Sequence, residues 1–317
     1  MEKKLLGNSQ LKTAPIVFGG NVFGWTLNEK ESFKILDETL ALGFNTIDTA
    51  DVYSRWVNGN QGGESETIIG KWMSERNVRS KLTLITKVGS DVGQGQKDLS
   101  EKHILKACED SLRRLQTDHI DLYLTHWDDD RTPVEETLAA YQKLIRAGKI
   151  LAIGASNLSP ERLSASLEAS SKNSGLPRYE VFQPEYNLYD RQGFEEGVAP
   201  LCQKEKLGTI TYYSLASGFL SGKYRKSSDL SQSVRGGGIQ KYMNPRGMRI
   251  LDALDDIAIT YKVSQAAVAL AWLIHKPNVT APIASATKSQ HLKAFTEATQ
   301  LKLTPFDMEQ LAQASAW

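Results

Sequence analysis

Four residues carry groups that together could protonate a carbonyl oxygen while a hydride reaches its carbon. They are a carboxylate (Asp48), a phenol (Tyr53), an ammonium (Lys87) and an imidazole (His126). A free tyrosine has a pKa near 10 and is a poor acid at neutral pH. Bringing it to about 7 takes roughly 4 kcal/mol in favour of the phenolate. One cation about 4 Å away, at an effective dielectric near 20, supplies about that much. Lys87 could be that cation; burial would tend to neutralise it, and Asp48 could hold it charged. His126 could hydrogen-bond and orient the substrate oxygen, or relay a proton. Taken singly, each has an ordinary reading: an aspartate capping a loop, a packed tyrosine, a solvated lysine, a structural histidine. Their shared position argues otherwise, because all four fall at the ends of consecutive strand-like runs.

Those runs are IVFGG (16–20), FNTID (44–48), LTLITK (82–87), IDLYLTH (120–126), ILAIGAS (150–156), YEVFQ (179–183), GTITYYS (208–214) and TAPIAS (280–285). Each is short and rich in Ile, Val, Leu or Thr, which predicts eight strands. Amphipathic helix patterns lie between them. After the fourth run, Thr132 as N-cap, Pro133 at N1 and Glu135 at N3 predict a capping box, with Val134, Leu138, Tyr141 and Ile145 as one stripe and Gly148 as the stop. Ser100 predicts another helix start, with Ile104, Cys108, Leu112 and Leu115 along it, and the segment after Pro305 reads as a last helix. Strand–helix alternation predicts a parallel sheet, either a closed (β/α)8 TIM barrel or an open doubly wound sheet. Functional residue types stand at the carboxyl ends of seven successive strands. That favours the ring, because an open sheet binds mainly at one switch point. We read residues 1–317 as a single domain, with long loops at 54–63 and 217–245.

Lys+Arg 38 against Asp+Glu 37 leaves a net charge of +1, which gives no reason to expect nucleic acid or an anionic membrane as partner. Two cysteines, Cys108 and Cys202, do not make a disulfide framework in 317 residues. The opening MEKKLLGNSQLK has too short an apolar core for a signal peptide, and the longest apolar run, 266–274, cannot span a bilayer. These features read as a cytoplasmic protein. The five histidines offer no metal-ligand cluster after the first strand, so no metal is expected, and the triplet Asp128–Asp130 reads as a solvated loop.

The segments FNTIDTADVYS, LITKVG, LTHWD, GASN, FQPEYN, YYSLASGFLSGKY and PIASATKSQHL, in this order, resemble the aldo-keto reductases over nearly the whole chain. GGESETIIG after the second loop is similar to the bacterial branch related to potassium-channel β subunits. The resemblance implies a barrel with Asp48, Tyr53, Lys87 and His126 as catalytic tetrad. It implies NADP(H) as cofactor, with NAD(H) second. Ser156, Asn157 and Gln183 would hold the carboxamide, Tyr212 would stack on the ring, and Gly20, Asn21 and Ser214 would lie beside it. Leu215, Ala216, Ser217, Lys223 and Arg235 would wrap the pyrophosphate, and Ser285, Thr287, Lys288 and His291 would grip the adenosine end. The chain departs from many members at Thr287, at His291, at Ala294-Phe295 and at Tyr213-Ser214.

The implied activity is reduction of aldehydes or ketones to alcohols, on a small-molecule carbonyl substrate, with Tyr53 as general acid. The alternative is a cofactor-sensing regulatory protein with little turnover, like the channel β subunits. A barrel hydrolase lacks the His-x-His ligands or paired carboxylates it would need. Trp25, Trp56 and Trp127 could line a substrate pocket. The sequence is silent on oligomeric state.

Overall fold

The computed structural model describes residues 2–232 and 236–317. Eight parallel strands close into a barrel, β1 (Val17–Gly19), β2 (Thr46–Asp48), β3 (Thr83–Val88), β4 (Ile120–Thr125), β5 (Ile150–Ser156), β6 (Tyr179–Gln183), β7 (Gly208–Thr211) and β8 (Ala281–Ala284), with β8 pairing back onto β1. The eight expected strands are all there, two with the expected bounds, one shifted by a residue to end at Val88 and five trimmed, and the protein is a (β/α)8 TIM barrel.

The helices are α1 (Glu29–Ala41), α2 (Glu64–Arg76), α3 (Glu101–Leu115), α4 (Val134–Arg146), α5 (Pro160–Lys172), α6 (Ala199–Lys204), α7 (Pro245–Tyr261), α8 (Gln265–His275), α9 (Ser289–Gln300) and α10 (Pro305–Ala314). Among the described residues no single helix is long and apolar enough to cross a membrane.

Two cores result from the period-2 alternation of strands. Ile47, Leu84, Val88, Tyr123, Ile153 and Phe182 point outward into the helix layer. Val17, Ile85, Leu122, Leu124, Ala152, Val181, Ile210 and Ile283 fill the barrel interior. The same alternation puts Asp48, Lys87, His126, Ser156 and Gln183 on the inside, at the carboxyl ends where the apolar fill stops. Strand register staggers them, with Asp48 opposite Gly19 and Ile85, Lys87 opposite Leu124 and Ser156 opposite Gln183.

A feature absent from the sequence reading closes the other end. Lys4–Leu5 and Lys12–Thr13 form an antiparallel hairpin, and Leu6 plugs the barrel floor with no exposed surface. Gly7, at φ +60°, lies against the backbone of Glu180 and Gly208, where a Cβ would collide.

Two local expectations need correction. α4 begins at Val134 with Pro133 as N-cap and no side-chain cap. Thr132 instead turns its hydroxyl to Asp129 Oδ2 at 2.6 Å, so the capping box does not form. Asp129 is buried because it also accepts from the backbone of Leu99, Arg131 and Thr132, and Asp128 pairs with Arg162 at 2.9 Å. Only Asp130 of that acidic triplet faces solvent. Ser100 caps α3 as expected, accepting from His103 N, and α10 begins at Pro305.

Candidate active site

Lys87 is the centre of the site. It is fully buried, and its three ammonium protons have three acceptors: Asp48 Oδ1 at 2.6 Å, Thr49 O at 2.7 Å and Tyr53 OH at 2.9 Å. Asp48 is fixed at its other oxygen by Gln183 Nε2 at 2.9 Å, and Tyr53 OH lies 3.3 Å from Asp48 Oδ1. Tyr53 reaches this point because the chain after β2 turns back sharply. Ser54 adopts φ +73° and donates its hydroxyl to Phe23 O at 2.6 Å, and Asn60 clamps Gly24 O and Ser54 O. His126 follows β4, and its ring centre lies 6.0 Å from that of Tyr53. Ser90 Oγ, 3.0 Å from His126 Nδ1, orients the imidazole through that nitrogen. Ser90 escaped the sequence reading, since nothing separates a serine two residues past a strand from an ordinary turn residue.

The electrostatics differ from expectation. Burial, then the adjacent Asp48 carboxylate, pushes the Tyr53 hydroxyl well above its ordinary value, so the phenol is held protonated rather than acidified. Burial also pulls the Lys87 ammonium down, against Asp48, which raises it. His126 is held well below its usual range by burial and then by Lys87, and is neutral. The cluster thus holds a protonated phenol, a bound ammonium and a neutral imidazole.

Beside this cluster lies a linked row of polar groups. Ser156 Oγ donates to Gln183 O at 2.7 Å. Asn157, at φ +52°, donates to His126 O at 2.9 Å and accepts from Tyr212 OH at 2.7 Å. Ser214 is buried and donates to Thr211 O, which makes it part of the turn after β7. Ser285 Oγ lies 2.8 Å from both Gly19 O and Asn21 Oδ1, joining the ends of β8 and β1. A Cβ on Gly19 would stand 2.7 Å from that hydroxyl. The Gly20 carbonyl accepts from Ser65 Oγ at 2.8 Å.

After β7 the chain passes Leu215 and then runs left-handed through Ala216 (φ +47°), Ser217 (φ +58°) and Gly218 (φ +98°). Two successive non-glycine residues in that region cost about 1 kcal/mol or more each. Lys223 and Lys288 both face His291 and, behind the larger effect of burial, lower its pKa. Thr287 N lies 3.3 Å from His291 Nδ1, and Lys288 stands at the N-cap of α9 with no side-chain cap. Two lysines, a histidine, an uncapped helix start and a strained turn fit a phosphate-bearing dinucleotide by their chemistry. Arg235 lies outside the described residues.

Aromatic rings stand over the tetrad. Trp56 lies 6.1 Å from the Tyr53 ring and meets Trp25 edge-on at 5.6 Å, and Trp127 lies 6.1 Å from His126. Trp56 and Trp127 are exposed.

The aldo/keto reductase family matches residues 15–316, from the first strand to the end of the last helix. The chain is 34% identical over 299 residues to an aldo-keto reductase of Bacillus subtilis, YhdN, covering 92% of this chain and 86% of that one. It is 32% identical over 325 residues to a probable voltage-gated potassium channel subunit β of Arabidopsis thaliana, covering 99% and 96%. It is 29% identical over 325 residues to a norsolorinic acid reductase of Aspergillus flavus, covering 98% and 80%. The site is that of a barrel oxidoreductase built for a nicotinamide cofactor. The chain belongs to the aldo/keto reductase family.

Proposed function

We propose that this oxidoreductase reduces aldehydes and ketones to alcohols with NADPH, Tyr53 acting as general acid. The observation that carries the reading is the contact of Tyr53 OH with a fully buried ammonium, Lys87 Nζ, at 2.9 Å. A nicotinamide held beside Ser156, Asn157 and Gln183 would supply the hydride for the carbonyl carbon. Tyr53 gives its proton to the oxygen as negative charge develops there, and Lys87 then faces a phenolate at hydrogen-bond distance. Asp48 keeps Lys87 charged at 2.6 Å, and neutral His126 offers Nε2 to the substrate oxygen. A hydroxyl held protonated suits the reductive direction, in which the first requirement is a proton to give.

Ser156, Asn157 and Gln183 are suited to a carboxamide, and Tyr212 to the face of the ring. Gly20, Asn21 and Ser214 to Ser217 would sit along the cofactor, and Ser285 and Thr287 by its adenosine end. The lysines at 223 and 288, with His291, favour the extra phosphate of NADPH over NADH. Trp25, Trp56 and Trp127 would cover the substrate.

The test is Tyr53→Phe, which keeps the ring against Trp56 and removes only the hydroxyl. Turnover of an aromatic aldehyde should fall about 10²- to 10⁴-fold while NADPH binding persists. Near wild-type turnover would refute the role. The similarity to the Arabidopsis subunit carries a second reading, cofactor retention with little turnover. Many turnovers per chain in steady state would exclude it.

A further inference from the structure

Behind the tetrad lies a second group of buried charges that the proton donor does not use. Asp51 is 3% exposed, and its carboxylate oxygens have no partner beyond the adjacent Val52 backbone. The charged and titratable groups facing it are Glu66 on α2, Lys87 on β3, Arg114 on α3, Tyr123 on β4 and Tyr141 on α4. Glu66 is fully buried and well served, accepting from Thr86 Oγ1 at 2.6 Å and Arg114 Nε at 2.7 Å. Asp48 has Lys87 and Gln183.

The charges of this group do not balance. Three buried carboxylates, Asp48, Asp51 and Glu66, meet two cations, Lys87 and Arg114, and the neighbouring His126 is neutral. An unbalanced negative charge in a buried site is relieved by taking up a proton. The proton goes to the carboxylate with least to lose. Asp51 has at most the adjacent Val52 backbone, whereas the other two are each held by a cation.

We propose that Asp51 is a positioning residue, a buried carboxyl group beside Lys87 whose negative charge, when it appears, holds Lys87 as the ammonium Tyr53 requires. This rests on the reading of Lys87 and Tyr53 given above. Burial works to strip the Lys87 proton as pH rises. A carboxylate appearing at Asp51 opposes that loss, so activity extends to higher pH than Asp48 alone would allow. Asp51→Asn keeps the size and neutral state of the side chain and removes only the later charge.

The test has two arms. In the first, kcat is measured against pH for wild type, Asp51→Asn and Asp51→Glu. The asparagine variant should keep plateau turnover within about twofold and move the alkaline limb down by about one pH unit. At the pH where the wild type is half-active, that is a loss of roughly fivefold relative to wild type. Glutamate should restore the limb. A loss equal at every pH, or no shift at all, would overturn the proposal. So would a wild-type limb that moves when sodium or potassium is omitted, because a bound cation would then supply the missing charge.

The second arm needs neither turnover nor a folded variant. The infrared carbonyl stretch of a protonated carboxylic acid should be present in wild-type protein at neutral pH, shift in D2O and vanish as pH rises. No such band at neutral pH overturns the proposal. Should Tyr53→Phe retain activity, the tetrad reading fails while this band still reports on the buried acid.

Discussion

Lys87→Met tests the electrostatic core of the site. The substitution removes the cation 2.9 Å from Tyr53 OH and 2.6 Å from Asp48 and keeps an unbranched chain of similar bulk. At an effective dielectric of 20, an ammonium and a phenolate separated by the Lys87–Tyr53 distance attract by about 6 kcal/mol. That is about four pKa units of phenol acidity. General-acid catalysis contributes about 10²- to 10⁴-fold in all, so the loss should reach the upper part of that range, about 10³- to 10⁴-fold in kcat. Stability should fall too, because Asp48, 1% exposed, keeps only Gln183 and the long contact to Tyr53. Removing one partner of a buried pair costs about 3–5 kcal/mol. Turnover is read as NADPH oxidation with an aromatic aldehyde, and stability from urea titration. The double variant with Asp48→Asn should recover much of the stability and none of the turnover. A Lys87→Met enzyme within tenfold of wild type, with Tyr53→Phe inactive, would refute the argument.

Two further outcomes follow from the charges. His126 has its folded pKa held well below the unfolded one, so between the two values only the unfolded chain takes up a proton. Its contribution is present above about pH 6.5 and lost as pH falls, by at most about 2 kcal/mol at pH 5. Urea midpoints of wild type should therefore drop more from pH 7.5 to pH 5 than those of His126→Gln; equal drops would sink the assignment. Lys223→Ala with Lys288→Ala should weaken NADPH binding by about tenfold or more and NADH binding much less, measured by fluorescence titration. Equal losses for both cofactors would place those lysines elsewhere than at the extra phosphate.

Much of the barrel was legible in the sequence, because period-2 and helical hydrophobic patterns are local. Eight strand runs, the start of α3 at Ser100 and the last helix at Pro305 follow from side-chain type and neighbours alone. So does the placement of Asp48, Lys87 and His126 at one end of the sheet, since parallel strands all finish on the same side. Contacts between distant segments were not legible. The hairpin that carries Leu6 to the barrel floor has only two residues per strand, too few for a periodic signal. Asp129 turned inward because backbone donors from two loops converge on it, which defeated the Thr132 cap.

Charge state was the deepest omission. The sequence supplied a phenol, an ammonium and three carboxylates. Tertiary burial decided that the phenol stays protonated, that the imidazole stays neutral and that no side chain bonds the Asp51 carboxylate. Which residues could do chemistry is a matter of composition and order. Which proton each one holds depends on how much water the closed fold removes from around it, and that is decided only when all eight strands have met.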